Sequence, residues 1–248
     1  MIWAELTKLK RSSTWLIAVV LPLVAVITGT LNVANNRDTF DIGWASFTSQ
    51  VVLFYGLLFY SLGIGLLAAT VWRAEHRGGN WNSLITTTTR PLALVLAKIV
   101  AIAAPVALMQ VVLVVGTFIS GTAVLRLPGE VPGDLALVGL IAVVAALPLI
   151  AIQSLLSMLF KSFAAPVAVC FLGCVLGIAS VTSTALRPAS HVVPQALNTR
   201  ALNLGSTAIA ESGGLTTADT LPLLASVLVG AAGVVALSLA AIRYIKLR

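Results

Sequence analysis

The side chains able to do chemistry are few and widely separated. The only histidines are His76 and His191, and the only cysteines are Cys170 and Cys174. Those cysteines are four apart, so on a helix they share one face. Two thiols on a rigid helix make no metal site by themselves, and they read as small packing residues. Metalloprotease or phosphatase chemistry needs an HExxH-like pair or clustered acids and bases, and neither pattern occurs. No G-x-x-x-x-G-K-[ST] is present, nor any Gly-Lys pair, so the chain lacks a P-loop to cradle ATP phosphates. Glu211-Ser212-Gly213-Gly214 has a faint look of an ATPase signature, but no cassette surrounds it. The large polar groups placed well inside apolar sequence are Gln110 and Gln153, which become candidates for lining a path.

One segment is dense in polar and aromatic groups. It runs Arg73-Ala-Glu75-His76-Arg77-Gly78-Gly79-Asn80-Trp81-Asn82-Ser83-Leu84-Ile85, then four threonines, Arg90-Pro91 and, further on, Lys98. Gly78 and Gly79 permit a sharp turn, and Asn80 is a good helix cap. Trp81, Leu84 and Ile85 then fall at i, i+3 and i+4, giving a short helix one apolar face. Such a helix, flanked by arginines, suits a partner's apolar groove. The same residues equally suit a loop whose Trp81 rests at the lipid headgroups.

The elements that hold this segment are read from charge. Apolar residues are 59% of the 248, and charged residues only 9%, against roughly 25% in a soluble domain. Such a chain cannot clothe a water-facing surface. Six stretches lack Asp, Glu, Lys and Arg: Arg11 to Arg37, Asp41 to Arg73, Lys98 to Arg126, Asp134 to Lys161, Lys161 to Arg187 and Asp219 to Arg243. Each exceeds the ~20 residues that cross a bilayer as a helix. The first, Thr14 to Val33, is too long for the ~7–15-residue core of a cleaved signal, and no A-x-A site follows it. The expected spans are about 13–33, 47–72, 92–125, 135–160, 163–186 and 221–243. A loop at 73–91 lies on one side, and a long, sparsely charged loop at 187–220 on the other. In the latter, Pro194 can open a helix that Gly205 closes. That helix either dips back into the bilayer or lies on its surface.

With the amino terminus inside, eleven of the fifteen basic residues fall on the cytoplasmic side, against two acids, Glu5 and Glu75. Positive charge marks that side, so both termini are expected in the cytoplasm. Residues 1–12 read as an amphipathic lead, with Ile2, Leu6 and Leu9 on one side and Glu5, Lys8 and Ser12 opposite; a disordered basic tail is the alternative for so short a segment. Trp3 with Lys8, Lys10 and Arg11 would anchor this helix on the inner leaflet. Pro22, Pro105 and Pro148 interrupt three spans, which membrane helices tolerate. Small residues four apart, such as Ser61/Gly65, Gly173/Gly177 and Ser226/Gly230, let helices approach closely.

The amphipathic lead and six spans, with Glu75 just after the second span, resemble the ABC type-2 exporter permeases. The glycine pair, the Trp81/Leu84 segment, the Arg90-Pro91 entry and Lys98 add to that resemblance. It is closest to the lantibiotic-immunity permeases. The resemblance implies an all-α polytopic protein of the bacterial plasma membrane, built like half of a type V exporter. A second permease, identical or paralogous, would complete the path. Separate cytoplasmic ATPases, carrying the ATP and Mg that this chain does not bind, would grip a coupling helix from Asn80 to about Thr87. Glu75, Arg77, Gly78, Gly79, Asn80, Trp81, Leu84, Ile85 and Arg90 would form that coupling site, and the outer loop would hold re-entrant segments. The chain itself would not be an enzyme. A proton- or sodium-coupled carrier is the main rival, and it normally needs ionisable groups within its spans. A membrane assembly subunit that transports nothing is the other.

Overall fold

The computed structural model describes residues 2–10, 12–36, 43–77, 90–206 and 214–246. Among them every regular element is helical. A short helix α1 (Ile2–Leu9) precedes the first span, α2 (Thr14–Asn35). The next spans are α3 (Trp44–His76), α4 (Pro91–Val124), α5 (Leu135–Leu159) and α6 (Ala164–Thr182). A short helix α7 (Pro194–Leu202) then leads to the last span, α8 (Thr217–Lys246). Six helices are thus long and apolar enough to cross a membrane. The 25 residues of α5 reach about 37 Å at 1.5 Å each, enough for a hydrocarbon core of about 30 Å.

One of these helices ends where the sequence did not place it. The second span continues through Arg73 and Glu75 to His76, so both charged residues lie on the helix and not in the loop. The third begins at Pro91, whose missing N–H costs nothing at a first helical position. Pro148 divides α5 at Ala146, where the helix breaks for one residue. Pro22 and Pro105 are accommodated inside continuous helices.

The hub is α3. In its most apolar window 61% of residues are buried, against 17% in α8, which lies at the outside of the bundle. Phe47, Tyr55, Tyr60, Ile64 and Leu67 of α3 are fully enclosed with Ile102, Met109, Leu149 and Ile150. A second apolar cluster closes one end: Trp72, Leu94, Val95, Met158 and Ile242. It puts the last turns of α8 beside the end of α3 and the start of α4, the end where α1 also packs. The helix α1 and the last described turns of α8 therefore share one end of the bundle.

The helix α7 is inserted among the spans. Its Gln195, Ala196, Leu197, Asn198, Thr199, Ala201 and Leu202 are all buried. Thr199 donates to the Gly56 carbonyl at 2.8 Å, within a π-helical stretch of α3 (Tyr55–Phe59). Gly173 and Gly177 of α6 present no side chain to Gln195, so α7 rests against the α6 backbone. Gly205 follows at φ +73°, in the left-handed region glycine enters without strain, and ends the helical segment.

Candidate functional site

The two roots of the loop between α3 and α4 are tied together by buried charge. Lys98, in the second turn of α4, has no exposed surface. An unpaired ammonium there costs several kcal/mol, so it must be met by anions. Its Nζ lies 2.7 Å from Glu75 Oε1, at the end of α3, and 2.7 Å from Glu5 Oε2 on α1. The Trp72 ring, one turn before Glu75, lies 4.9 Å from the same ammonium and adds a cation–π contact. Lys8 completes the set, donating to Glu5 Oε1 at 2.9 Å and Glu75 Oε1 at 2.7 Å. Two lysines and two carboxylates thus close a neutral quartet drawn from α1, α3 and α4. Burial draws the half-exposed Lys8 ammonium down, but the hydrogen bonds it donates to Glu75 and Glu5, with the attraction of their charges, outweigh it and hold its pKa above the ordinary lysine value.

Local sequence explains how each helix presents these groups. Glu5 and Lys8 are i, i+3 on α1, and Trp72 and Glu75 are i, i+3 on α3, so each pair shares a face. The amphipathic pattern placed Glu5 on the solvated side of α1; the structure corrects this. Glu5 and Leu9 are buried while Ile2 is exposed, because the Lys98 ammonium makes the Glu5 face the attractive one. Trp15 Nε1 donates to the Leu9 carbonyl at 2.8 Å, fixing the corner between α1 and α2. Trp3 is 83% exposed and points away from the protein, and Lys10 is exposed as well.

The same end of α3 reaches two more spans. Trp72 Nε1 donates to Ser154 Oγ at 2.9 Å, and His76 Nε2 lies 2.8 Å from the Ser157 carbonyl; both partners are on α5. Arg73 lies over the Phe163 ring, just before α6, at 5.5 Å. Hence the loop leaves from a helix end bonded to α1, α4 and α5 and packed on α6.

Of the expected coupling residues, Glu75 belongs to the quartet, and Arg77 and Arg90 are exposed at the loop's roots. Gly78, Gly79, Asn80, Trp81, Leu84 and Ile85 lie outside the described residues, as does Arg11. Gln110 and Gln153 are buried inside the chain. Gln110 Nε2 is 3.4 Å from the Tyr55 hydroxyl, and the side-chain oxygens of both glutamines meet no donor. Cys170 and Cys174 are buried as expected, with Cys170 Sγ donating to the Ser61 carbonyl at 3.2 Å. Nothing in the sequence pairs Glu5 with Lys98, which lies 93 positions away. The available signal was that Glu5 and Glu75 are the only acids among eleven basic residues on their side.

Residues 1–177 match the family model for the ABC-2 family transporter protein. The chain belongs to the ABC-2 transporter family. No curated protein and no solved structure matches it. As an ABC-2 protein it is a multi-pass membrane protein and a permease subunit of an ABC transporter, a membership that implies an ATPase partner. The matched stretch takes in α1 to most of α6, and therefore all four members of the ABC-2 permease's charge quartet.

Proposed function

We propose that this permease is half of an ATP-driven exporter of type V layout, whose separate cytoplasmic ATPase drives it through the loop between α3 and α4. The single observation that carries the reading is the quartet: Glu75 and Lys98, at the two roots of that loop, meet at 2.7 Å in a buried site. A loop rooted in mobile helix ends would absorb a push. Here a push on residues 78–89 is delivered at once to α3 and α4, and through Glu5, Ser154 and Phe163 to α1, α5 and α6. Rigid-body rocking of packed helices is the ordinary response to such a load.

In this reading both termini are cytoplasmic, and Trp3, Lys8, Lys10 and Arg11 anchor α1 at the inner leaflet. The coupling helix is Asn80 to about Thr87, flanked by Arg77 and Arg90. A second permease, identical or paralogous, faces this one across the path. Gln110 and Gln153 reach that path only when α4 and α5 move against α3. The resemblance to lantibiotic-immunity permeases supports an amphipathic antimicrobial peptide as cargo.

The test is the coupling segment itself. Leu84→Glu puts a charge into the apolar groove that would receive Trp81 and Leu84, and an unpaired buried charge costs about 3–5 kcal/mol. Co-purified ATPase should fall to background while the permease still inserts at wild-type yield. Undiminished ATPase binding would remove the coupling role of this segment.

A further inference from the structure

The quartet leaves a surplus of positive charge beside it. Glu5 and Glu75, the acids at this end of the bundle, are both held by Lys8 and Lys98. Arg73 and Arg77 are one turn apart at the end of α3, both exposed, and neither has an acidic partner among the described residues. Residues 78–89 contain no acid to supply one.

These arginines border a cavity of about 500 Å³. Its polar lining is Arg73, Arg77, Lys8, Ser12, Ser13 and Thr70, together with Glu5, whose carboxylate is already held by Lys8 and Lys98. The serines also mark the start of α2, a helix end that carries partial positive charge. Leu16 and Ile17, in the next turn of α2, and Phe163, whose ring lies under Arg73, add apolar lining. Leu16 begins a stripe of exposed apolar residues down α2 that continues through Val20, Leu23, Ile27 and Leu31. One opening therefore offers cations and hydroxyls at the membrane surface and an uninterrupted apolar track into the bilayer.

We propose that this cavity binds one anionic phospholipid from the leaflet on the amino-terminal side. Its phosphate would sit between Arg73, Arg77 and the Ser12/Ser13 hydroxyls, and an acyl chain would lie along Leu16 and Val20. A free phosphate would use the polar wall and leave the apolar track without a role. A zwitterionic lipid would bring its own cation to a site that already has surplus positive charge. The inference goes beyond the exporter reading and holds whatever the chain carries.

The experiment is lipid titration of the purified full-length permease, followed by native mass spectrometry with phosphatidylglycerol, phosphatidylcholine or inorganic phosphate as the added probe. One phosphatidylglycerol should bind in preference to phosphatidylcholine. Arg73→Gln with Arg77→Gln should weaken it about thirtyfold, each arginine at the surface contributing about a factor of five. Arg243→Gln, at the same end but outside the cavity, should leave the preference intact and serves as the control for general charge loss. Leu16→Ser should weaken the lipid without restoring phosphatidylcholine to parity. Equal binding of both lipids, equal loss with Arg243→Gln, or full competition by millimolar inorganic phosphate would each overturn the proposal. Thermal melting of each variant in detergent identifies any that fail to fold, and Arg73→Lys with Arg77→Lys, which keeps the charge, should recover most of the binding.

Discussion

Lys98 illustrates how a single residue sets the geometry around it. With no exposed surface, its ammonium is stable only while both carboxylates and the Trp72 ring surround it. Lys98→Met removes one cation and leaves two buried glutamates sharing Lys8. Breaking a buried pair in this way costs about 3–5 kcal/mol, so the detergent-solubilised permease should melt at a clearly lower temperature. Adding Glu5→Gln to Lys98→Met restores neutrality and should recover part of the loss. If the single and double variants melt alike, the quartet is not acting as a unit. Glu5 and Glu75 were visible in the sequence as the only acids on the basic side. Their partners on other helices were not, because those bonds join residues 93, 67 and 23 positions apart. Helical periodicity speaks only to neighbours three or four apart, and for α1 it pointed Glu5 toward water.

The six spans were legible as elements, since a run of some 20 uncharged apolar residues has few alternatives to a membrane helix. The ends of those elements were less so. Charge suggested that α3 stopped before Arg73, yet a helix can carry charges past the hydrocarbon boundary, and α3 does so to reach its ion partners. The placement of α7 was open in the sequence, because its narrow apolar stripe suits a surface helix as well as an inserted one. The deciding residues lie elsewhere, in the bare backbone of α6. A Cβ on Gly177 would meet Gln195 Cβ at 3.0 Å and the Ala196 nitrogen at 3.2 Å, the latter an atom of the α7 backbone that cannot rotate aside. Gly177→Val should therefore lever α7 outward at a cost of about 1–3 kcal/mol. A cysteine at the fully buried Asn198, in a background lacking Cys170 and Cys174, should resist maleimide in the parent and react in the Gly177→Val variant. Equal reactivity in both would mean that α7 does not depend on the close approach to α6.

At the scale of the whole molecule the question is where the work of transport enters. An ion-driven carrier needs a group within the membrane whose charge is neutralised and restored in each cycle. The buried charged residues among those described are Glu5, Glu75 and Lys98, all gathered at one end. With Lys8 they compensate one another, an arrangement suited to holding helices together and poorly suited to releasing a proton midway across. Along the middle of the spans the buried polar groups are neutral: Gln110, Gln153 and Asn198, beside Tyr55 and Tyr60. With no nucleotide loop in the chain either, these features favour the proposed drive, a partner acting on the loop between α3 and α4. Transport by the reconstituted complex should then continue when a protonophore collapses the proton gradient, and stop when the partner ATPase loses its catalytic glutamate. Lys98→Met should fall between these cases, hydrolysing ATP but moving less cargo per ATP, since the loop's roots are no longer joined. Cargo that still moves with a dead ATPase, yet fails once the gradient is gone, would replace the exporter with an ion-coupled carrier. In that event the Glu75–Lys98 pair would be the first place to look for the moving proton.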